Sequence, residues 1–155
     1  MRGTLMNSSA IFSPGGFANF KPAIYIISIS GLSQRFVYGG RTKTANNTGT
    51  SAPFSRLATH LRRSGNTHSC IWKNLDTLSG EEIDKMSLSF CSSFVSEKYI
   101  EGAERLLIWH LSKQWGVMLN RKIPKTEPQV ACSIQEKVIS LIQKSKALHL
   151  CKFNN

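Results

Sequence analysis

Residues 53–65, PFSRLATHLRRSG, combine two side chains suited to phosphate chemistry at helical spacing. Arg56 and His60 stand four positions apart, which places them on one side of a helix. An arginine guanidinium is planar and permanently charged, so it can bind two phosphate oxygens at once, which a lysine cannot do. A histidine can accept or donate a proton near neutral pH. The segment therefore indicates a helix that is directed at a phosphate group.

Four more residues of catalytic types occur in order along the chain. Tyr25 lies in AIYII and Tyr38 in VYGG, both in stretches rich in β-branched and aromatic residues. Glu104 follows in AERLLI, and Asn120 in MLN. Each of them alone has an ordinary explanation as a strand aromatic, an exposed helical carboxylate or a turn residue. Their order, together with the arginine and histidine of the helix, is what suggests a site.

This ordered set of six positions resembles the GIY-YIG nuclease superfamily over about residues 22–122. AIY stands at the first signature triplet, YGG at the second, and RLATH at the arginine–histidine helix of the family. Two positions depart from the pattern, since Ala23 replaces the first glycine and Gly39 replaces the isoleucine of the second triplet. We expect the first change to matter little and the second to loosen the sheet. The hairpin between the tyrosines and the loop before Arg56 are longer than in compact members of the family.

The resemblance implies a metal-dependent endonuclease that hydrolyses DNA phosphodiester bonds. Glu104 matches the metal-ligand glutamate of the family, and we expect it to hold Mg²⁺ or Mn²⁺. A single carboxylate is enough for this, because Mg²⁺ keeps several waters and accepts oxygens of the substrate. Arg56 is expected to stabilise the negative charge that develops on the phosphate.

Two tyrosines and a histidine would then handle the proton of the attacking water. The resemblance implies that Tyr25 is the proton acceptor or its positioning partner, and nearby positive charge would have to stabilise its phenolate. Tyr38 is expected to hydrogen-bond the water or a phosphate oxygen. His60 either relays the proton or orients Tyr25, and both alternatives stay open at this point. Asn120 is uncharged, so we expect it to support the site rather than to take part in the chemistry.

The overall charge favours an anionic partner. The chain has 20 Lys and Arg residues against 9 Asp and Glu residues, a formal net charge of +11. Such an excess indicates nucleic acid, here DNA, ahead of a membrane surface, and basic contacts add affinity and salt dependence with little sequence choice. The residues expected to bind neighbouring phosphates are Arg41, Lys43, Arg62, Arg63, His68 and Lys73.

The elements that would position these residues form a predicted α+β domain. Strands are predicted from β-branched and aromatic runs, and helices from apolar residues at helical spacing. In chain order these are strands at 22–30 and 35–41, helices at 53–65 and 70–78, a strand at 87–95, and helices at 96–116 and 133–150. We expect a small antiparallel three-stranded sheet flanked by helices, GIY-YIG-like, with an extra C-terminal helix.

Composition suggests how the chain is divided and where it works. We expect a flexible N-terminal arm at 1–20, a nuclease domain at 21–122, and a linker with a C-terminal amphipathic helix at 123–155. The 4 cysteines form no C-x-x-C pair, which fits reduced thiols in a cytoplasmic, nucleoid-associated protein. The first twenty residues are also similar in composition to a transit peptide, which leaves organelle import open. No run approaches the roughly 18–20 apolar residues of a membrane span, so no membrane partner is expected.

Three other interpretations stand beside the nuclease. The same scaffold could serve as a catalytically inactive nucleic-acid-binding module. The C-terminal helix could dimerise the chain, and a homodimer would also suit a nuclease that cuts two strands with one site per chain. Zinc ligand types are present in His60, His68, Cys70 and Cys91, but their spacing matches no compact zinc finger.

Overall fold

The computed structural model describes the sheet, two long helices and a few single residues of the chain. The described residues are 11–12, 22–31, 34–42, 57, 60, 79, 81, 86–114 and 117–150. The predicted site residues that lie outside them are Lys43, Arg56, Arg62, Arg63, His68 and Lys73. The predicted helix at 70–78 and most of the one at 53–65 also lie outside, although Leu57 and His60 are helical.

Five strands and two helices have their bounds within these residues. In chain order they are β1 (Ile11–Phe12), β2 (Ala23–Ser30), β3 (Arg35–Thr42), β4 (Ser87–Phe94), α1 (Ile100–Gln114), β5 (Val117–Met118) and α2 (Cys132–Leu150). The spatial order in the sheet is β1-β4-β2-β3-β5. β2 pairs antiparallel with β3 and β4 along its whole length, while β1 and β5 pair in parallel at the two edges. The predicted α+β class is confirmed.

The sheet is larger and more mixed than the sequence predicts. Its three antiparallel strands are the predicted ones, each within one residue of the predicted bounds. The prediction of a purely antiparallel three-stranded sheet is wrong because it omits β1 and β5. Strands of two residues are too short to alternate, and a parallel partner far along the chain leaves no local signal. β1 lies within the predicted N-terminal arm, where it pairs with β4.

Alternation along the strands gives the sheet two faces with different coverings. Ile24 and Cys91 belong to the core cluster that α1 and α2 cover, and we call this side the helix face. Tyr25 and Phe90 belong to the opposite cluster, together with the helical residue Leu57, and we call this side the tyrosine face. Every residue of β2 is buried, which explains why this strand reads as a nearly continuous apolar run.

The apolar side of α2 lies in the same core as α1. Ile134, Val138, Leu141 and Ile142 are buried there against the helix face. Residues of α2, which belongs to the predicted C-terminal part at 123–155, therefore share a core cluster with the sheet and α1. The apolar side of α2, which the sequence suggests as a dimer surface, packs against the chain's own core. None of the described helices is both long and apolar enough to cross a membrane.

Gly39 lets α1 lie close to β3. A Cβ atom at this position would stand 3.1 Å from Cδ1 of Leu111 and 3.3 Å from Cγ1 of Ile108, both on α1. Distances of this size are tight for a side chain, so the glycine permits the close approach of the helix. The expectation that Gly39 loosens the sheet is therefore wrong, because the helix fills the space of the missing side chain.

Candidate functional site

Four consecutive residues of β3, 38–41 with the sequence YGGR, contact every other described member of the predicted site. We call this stretch the YGGR segment. Tyr38 and Gly40 lie on the tyrosine face, where they contact His60 and Tyr25. The backbone of Gly39 is hydrogen-bonded to the side chain of Asn120, and Arg41 pairs with Glu104. The contacts are described below in that order.

Tyr25 crosses β3 over Gly40 and reaches His60. The two strand residues are directly opposite each other in the antiparallel register. A Cβ at position 40 would lie 2.4 Å from Cζ and Oη of Tyr25, so only a glycine leaves room for the phenol. Beyond the strand, Tyr25 Oη is hydrogen-bonded to Nε2 of His60 at 2.9 Å. The Tyr25 side chain is 2% exposed and stacks on Phe90, so its direction is determined by packing.

Tyr38 completes a cluster of three rings on the tyrosine face. It lies two positions from Gly40 along β3, so its side chain leaves the same face diagonally from Tyr25. The ring centroids of Tyr38 and His60 are 4.5 Å apart, and those of Tyr38 and Tyr25 are 6.2 Å apart. The imidazole therefore lies in contact with both phenols. A phenol that shares a hydrogen bond with an imidazole is an arrangement that can move a proton.

Asn120 continues the edge of β3 where β5 has ended. β5 pairs with Phe36 and Val37, and Leu119 N–H donates to the carbonyl of Val37 at 2.8 Å. The side chain of Asn120 then accepts from the N–H of Gly39 at 2.9 Å and donates to its carbonyl at 2.7 Å. The amide thus takes the place of a peptide group in a neighbouring strand. It holds the backbone between Tyr38 and Gly40, which is a positioning role.

Arg41 and Glu104 form an ion pair on the other side of β3. Arg41 is opposite Ile24 in the register, so it projects to the helix face. Its Nε lies 2.9 Å from Oε2 of Glu104, and its Nη1 lies 3.5 Å from Oε2 of Glu101. Nη1 is buried and has no hydrogen-bond partner among the described residues. The sequence predicts that Arg41 binds DNA phosphates. In the structure its Nε instead contacts Glu104 of α1, and its role toward DNA stays a prediction.

The described site residues form two groups rather than one. Tyr25, Tyr38 and His60 meet on the tyrosine face, whereas Glu104 pairs with Arg41 on the helix face. The YGGR segment belongs to both groups, and Asn120 lies at its outer edge. Arg56, which the sequence places one helical turn from His60, is outside the described residues.

A cavity of about 450 Å³ lies beside Glu104 and Asn120. Two basic residues that the sequence analysis missed, Arg105 and Lys122, also line it. Arg105 follows Glu104 directly in α1, and Lys122 belongs to the basic run RKIPK after β5. Their common position could not be predicted, because it depends on where the segment after β5 passes α1.

Glu104 is the carboxylate that could bind a divalent metal ion, if the other ligands come from water and phosphate. In the described ranges, no three His, Cys, Asp or Glu side chains are grouped closely enough to hold a metal ion. A single carboxylate can still hold Mg²⁺ when waters and phosphate oxygens supply the other ligands, and the cavity has room for them. Arg41 competes for one oxygen of this carboxylate. The donor set therefore fits a metal ion that binds together with a phosphate.

A zinc site that joins His60 to Cys91 is excluded by the two faces of the sheet. Cys91 is buried on the helix face, where its thiol donates to the carbonyl of Leu141 at 3.9 Å. Burial raises the pKa of this thiol from 9.0 to about 12, which keeps it protonated and unsuited to a metal. His60 contacts Tyr25 on the opposite face. The other two residues considered for zinc lie outside the described residues.

Comparison with known proteins identifies no relative of this chain. No family model matches it, and no curated protein or solved structure matches it significantly. A functional assignment therefore depends on the residues and their contacts.

Proposed function

We propose that this protein is a metal-dependent endonuclease that hydrolyses DNA phosphodiester bonds at a GIY-YIG-type site. The observation that supports the proposal most is the 2.9 Å hydrogen bond between Tyr25 Oη and His60 Nε2, with the ring of Tyr38 in contact. Tyr25 and His60 are 35 positions apart, and the sequence pattern selects both. Two adjacent glycines, one of which makes room for Tyr25, further support a built site rather than a chance contact.

Tyr25 and His60 act as one proton acceptor in this proposal. The water that attacks the phosphate gives one proton to Tyr25 Oη, while the hydroxyl proton of Tyr25 moves to His60 Nε2. A phenol that is 2% exposed is a poor place for a lasting negative charge, because burial removes the water that would solvate a phenolate. Transfer to His60 avoids that charge. Tyr38 packs against the imidazole and orients the water or a phosphate oxygen.

Glu104 is proposed to hold the metal ion. Because Glu104 pairs with Arg41 on the helix face and Tyr25 meets His60 on the tyrosine face, the phosphate would have to lie along the YGGR segment, which both groups contact, for the metal and the proton acceptor to act on it together. The carboxylate of Glu104 would hold Mg²⁺ or Mn²⁺ at the cavity, and the metal would supply Lewis acidity and positive charge to the phosphate. Arg41 orients this carboxylate until then, through the contact at Nε. Arg56 is proposed to bind the phosphate with its guanidinium. Asn120 holds the YGGR segment in place and does not touch the reacting atoms.

DNA is the proposed substrate because the chain carries a formal net charge of +11. A cytoplasmic, nucleoid-associated location and a homodimer are proposed with it. The homodimer would need a surface other than the apolar side of α2, which is buried in the core.

The test is cleavage of supercoiled plasmid in Mg²⁺ or Mn²⁺ by matched variants. Tyr25→Phe, His60→Gln and Glu104→Gln each remove one functional group with little change in volume, and we expect each to lose roughly 100-fold or more in rate. Tyr99→Phe and Glu101→Gln are the controls. Tyr99 is exposed on the surface, and Glu101 lies one helical turn before Glu104 and is 73% exposed. Equal rates for the two sets would refute the assigned mechanism.

A catalytically inactive nucleic-acid-binding module is the second candidate. The observation in its favour is the Arg41–Glu104 pair, since it occupies an oxygen of the carboxylate that should bind the metal. Gel-shift binding without strand breaks in Mg²⁺, Mn²⁺ or any other divalent metal ion would support this candidate and reject the nuclease.

A further inference from the structure

The cavity beside Glu104 has walls of two chemical kinds. Arg105 and Lys122 supply two cations, and Ile108, Ile123 and Pro124 supply an apolar surface. Ile123 is 44% exposed, so part of its side chain is accessible to a ligand in the cavity. Such a combination suits a ligand with an anionic group attached to an apolar body.

The electrostatic balance of the cavity is positive. Among the described residues that line it, Glu104 is the one acid, and Arg41 already contacts that carboxylate. Arg105 and Lys122 are not paired with any acid of the described residues. An anion at this place would meet two cations and little opposing charge.

The size of the cavity limits the ligand to one small unit. A volume of about 450 Å³ lies within the range of small-ligand sites and is far too small for a DNA duplex. One phosphate with its sugar, or a single unstacked nucleotide, is of the right scale. The neighbouring carboxylate of Glu104 places that unit next to the proposed site of cleavage.

We propose that this cavity is a subsite for one nucleotide of the cleaved DNA strand, adjacent to the scissile phosphate. Arg105 and Lys122 bind its phosphate, and Ile108, Ile123 and Pro124 contact its sugar and base. The inference rests on the proposed nuclease function, because it places the nucleotide by reference to Glu104. It assigns Arg105 and Lys122 to substrate positioning, so the subsite contributes to DNA affinity even without metal.

The first test is DNA binding by fluorescence anisotropy with a labelled duplex in EDTA, which prevents metal-dependent cleavage. Arg105→Ala and Lys122→Ala should each weaken binding roughly tenfold. For each lost phosphate contact, the slope of log affinity against log salt should fall by about 0.9. Lys113→Ala and Lys125→Ala are matched controls, one on α1 and one after β5, that remove the same charge outside the cavity.

The controls should change affinity by less than about threefold, because exposed charges away from the DNA are screened by salt. If the Arg105→Ala Lys122→Ala double variant binds DNA as well as the two controls do, the subsite is overturned. This holds even when the wild type cuts DNA. If the wild type binds but never cuts, and the double variant loses affinity, the nuclease fails and with it the position beside a scissile phosphate, while the cavity remains a nucleotide-binding site. A wild type that does not bind DNA overturns both.

The second test asks whether the cavity binds a nucleotide or only its phosphate. Isoleucine methyl NMR spectra are recorded with thymidine 3′,5′-bisphosphate, thymidine and inorganic phosphate. The bisphosphate should shift the methyl signals of Ile108 and Ile123, while Ile139, which is exposed on α2, should not respond. Phosphate alone should leave Ile123 unchanged. Shifts of Ile123 that phosphate produces as strongly as the bisphosphate, or no shift with the bisphosphate, would contradict a nucleotide subsite.

Discussion

The tyrosine face and the helix face of β3 carry two different kinds of polar contact. On the tyrosine face, Tyr25 is 2% exposed and shares a hydrogen bond with His60. On the helix face, the side chains of Arg41 and Glu104 form an ion pair and keep 21% and 22% of their surface exposed. Neutral groups that are hydrogen-bonded can be buried at small cost, whereas charges are costly to bury. The phenol of Tyr25 is therefore fully buried, whereas His60, Tyr38 and the two charged side chains of the ion pair are half-buried.

One strand can serve both groups because its side chains alternate. In the YGGR segment, Tyr38 and Gly40 belong to the tyrosine face, and Gly39 and Arg41 to the helix face. The two glycines make room for different neighbours, a phenol on one side and a helix on the other. A small shift of this segment would therefore disturb both groups together. The predictions below separate the two sides by experiment.

Among the substitutions, Gly40→Ala is expected to have the largest effect on stability. The added Cβ would meet Tyr25 at 2.4 Å, so the phenol or the strand has to move. We expect a loss of about 1–3 kcal/mol in the free energy of unfolding from overpacking, and a loss of cleavage as Tyr25 leaves His60. Gly39→Ala is the comparison, since its Cβ would meet Leu111 Cδ1 at 3.1 Å and Ile108 Cγ1 at 3.3 Å, contacts that are tight but less severe, so we expect a smaller loss. Urea denaturation measures both, and equal losses would contradict the difference between the two faces.

Asn120 tests how strongly the edge of β3 is held. Asn120→Ala removes both hydrogen bonds to Gly39, and we expect a loss of about 1–2 kcal/mol in the free energy of unfolding. Hydrogen exchange of the Gly39 amide should accelerate. Asn120→Asp keeps the acceptor for this amide but loses the donor to the carbonyl, so it should retain more protection than the alanine variant. An unchanged exchange rate in Asn120→Ala would rule out this role.

The dry interior of the helix face predicts a dependence on pH. Burial raises the pKa of Cys91 from 9.0 to about 12, so above pH 9.0 the unfolded chain releases a proton that the folded chain keeps. The contribution of Cys91 to the free energy of unfolding is therefore fully present below pH 9.0. It falls by about 1.4 kcal/mol per pH unit as the pH rises toward 12. The measurement is the free energy of unfolding of the wild type relative to Cys91→Ala at several alkaline pH values. A difference that stays constant with pH would show that Cys91 titrates normally.

The smallest effect is expected from Arg41→Gln on metal binding. Loss of the guanidinium removes the competitor at Oε2 of Glu104, and an ion pair that still contacts water in this way is worth up to about 1 kcal/mol. The affinity for Mn²⁺, followed by the electron paramagnetic resonance of the free ion, should therefore rise by up to roughly fivefold. Glu101→Gln is the control, because Glu101 contacts Arg41 only at 3.5 Å and does not line the cavity. Weaker Mn²⁺ binding in Arg41→Gln would contradict competition.

Local pattern was enough to predict the long elements. β2, β3 and β4 follow from their β-branched and aromatic composition, and α1 and α2 from apolar residues at helical spacing. α1 begins at Ile100 rather than at the predicted residue 96, because the residues before it form a turn closed by a 2.9 Å bond between Tyr99 and Ser96. The edge strands could not be predicted, since they consist of two residues whose partners lie far away in the chain.

The order of the six residues along the chain identifies the candidate side chains. The periods of strands and helices then show which of them can lie on one face of the same element. That information is local and does not include the path of α1 across β3. Only the folded arrangement pairs Arg41 with Glu104, brings Lys122 beside Arg105, and places Asn120 against Gly39. These contacts join residues from separate elements, and packing between the elements determines them. The sequence thus determines which residue types are available for the site, and the packing of the helices on the sheet determines how they are divided between its two faces.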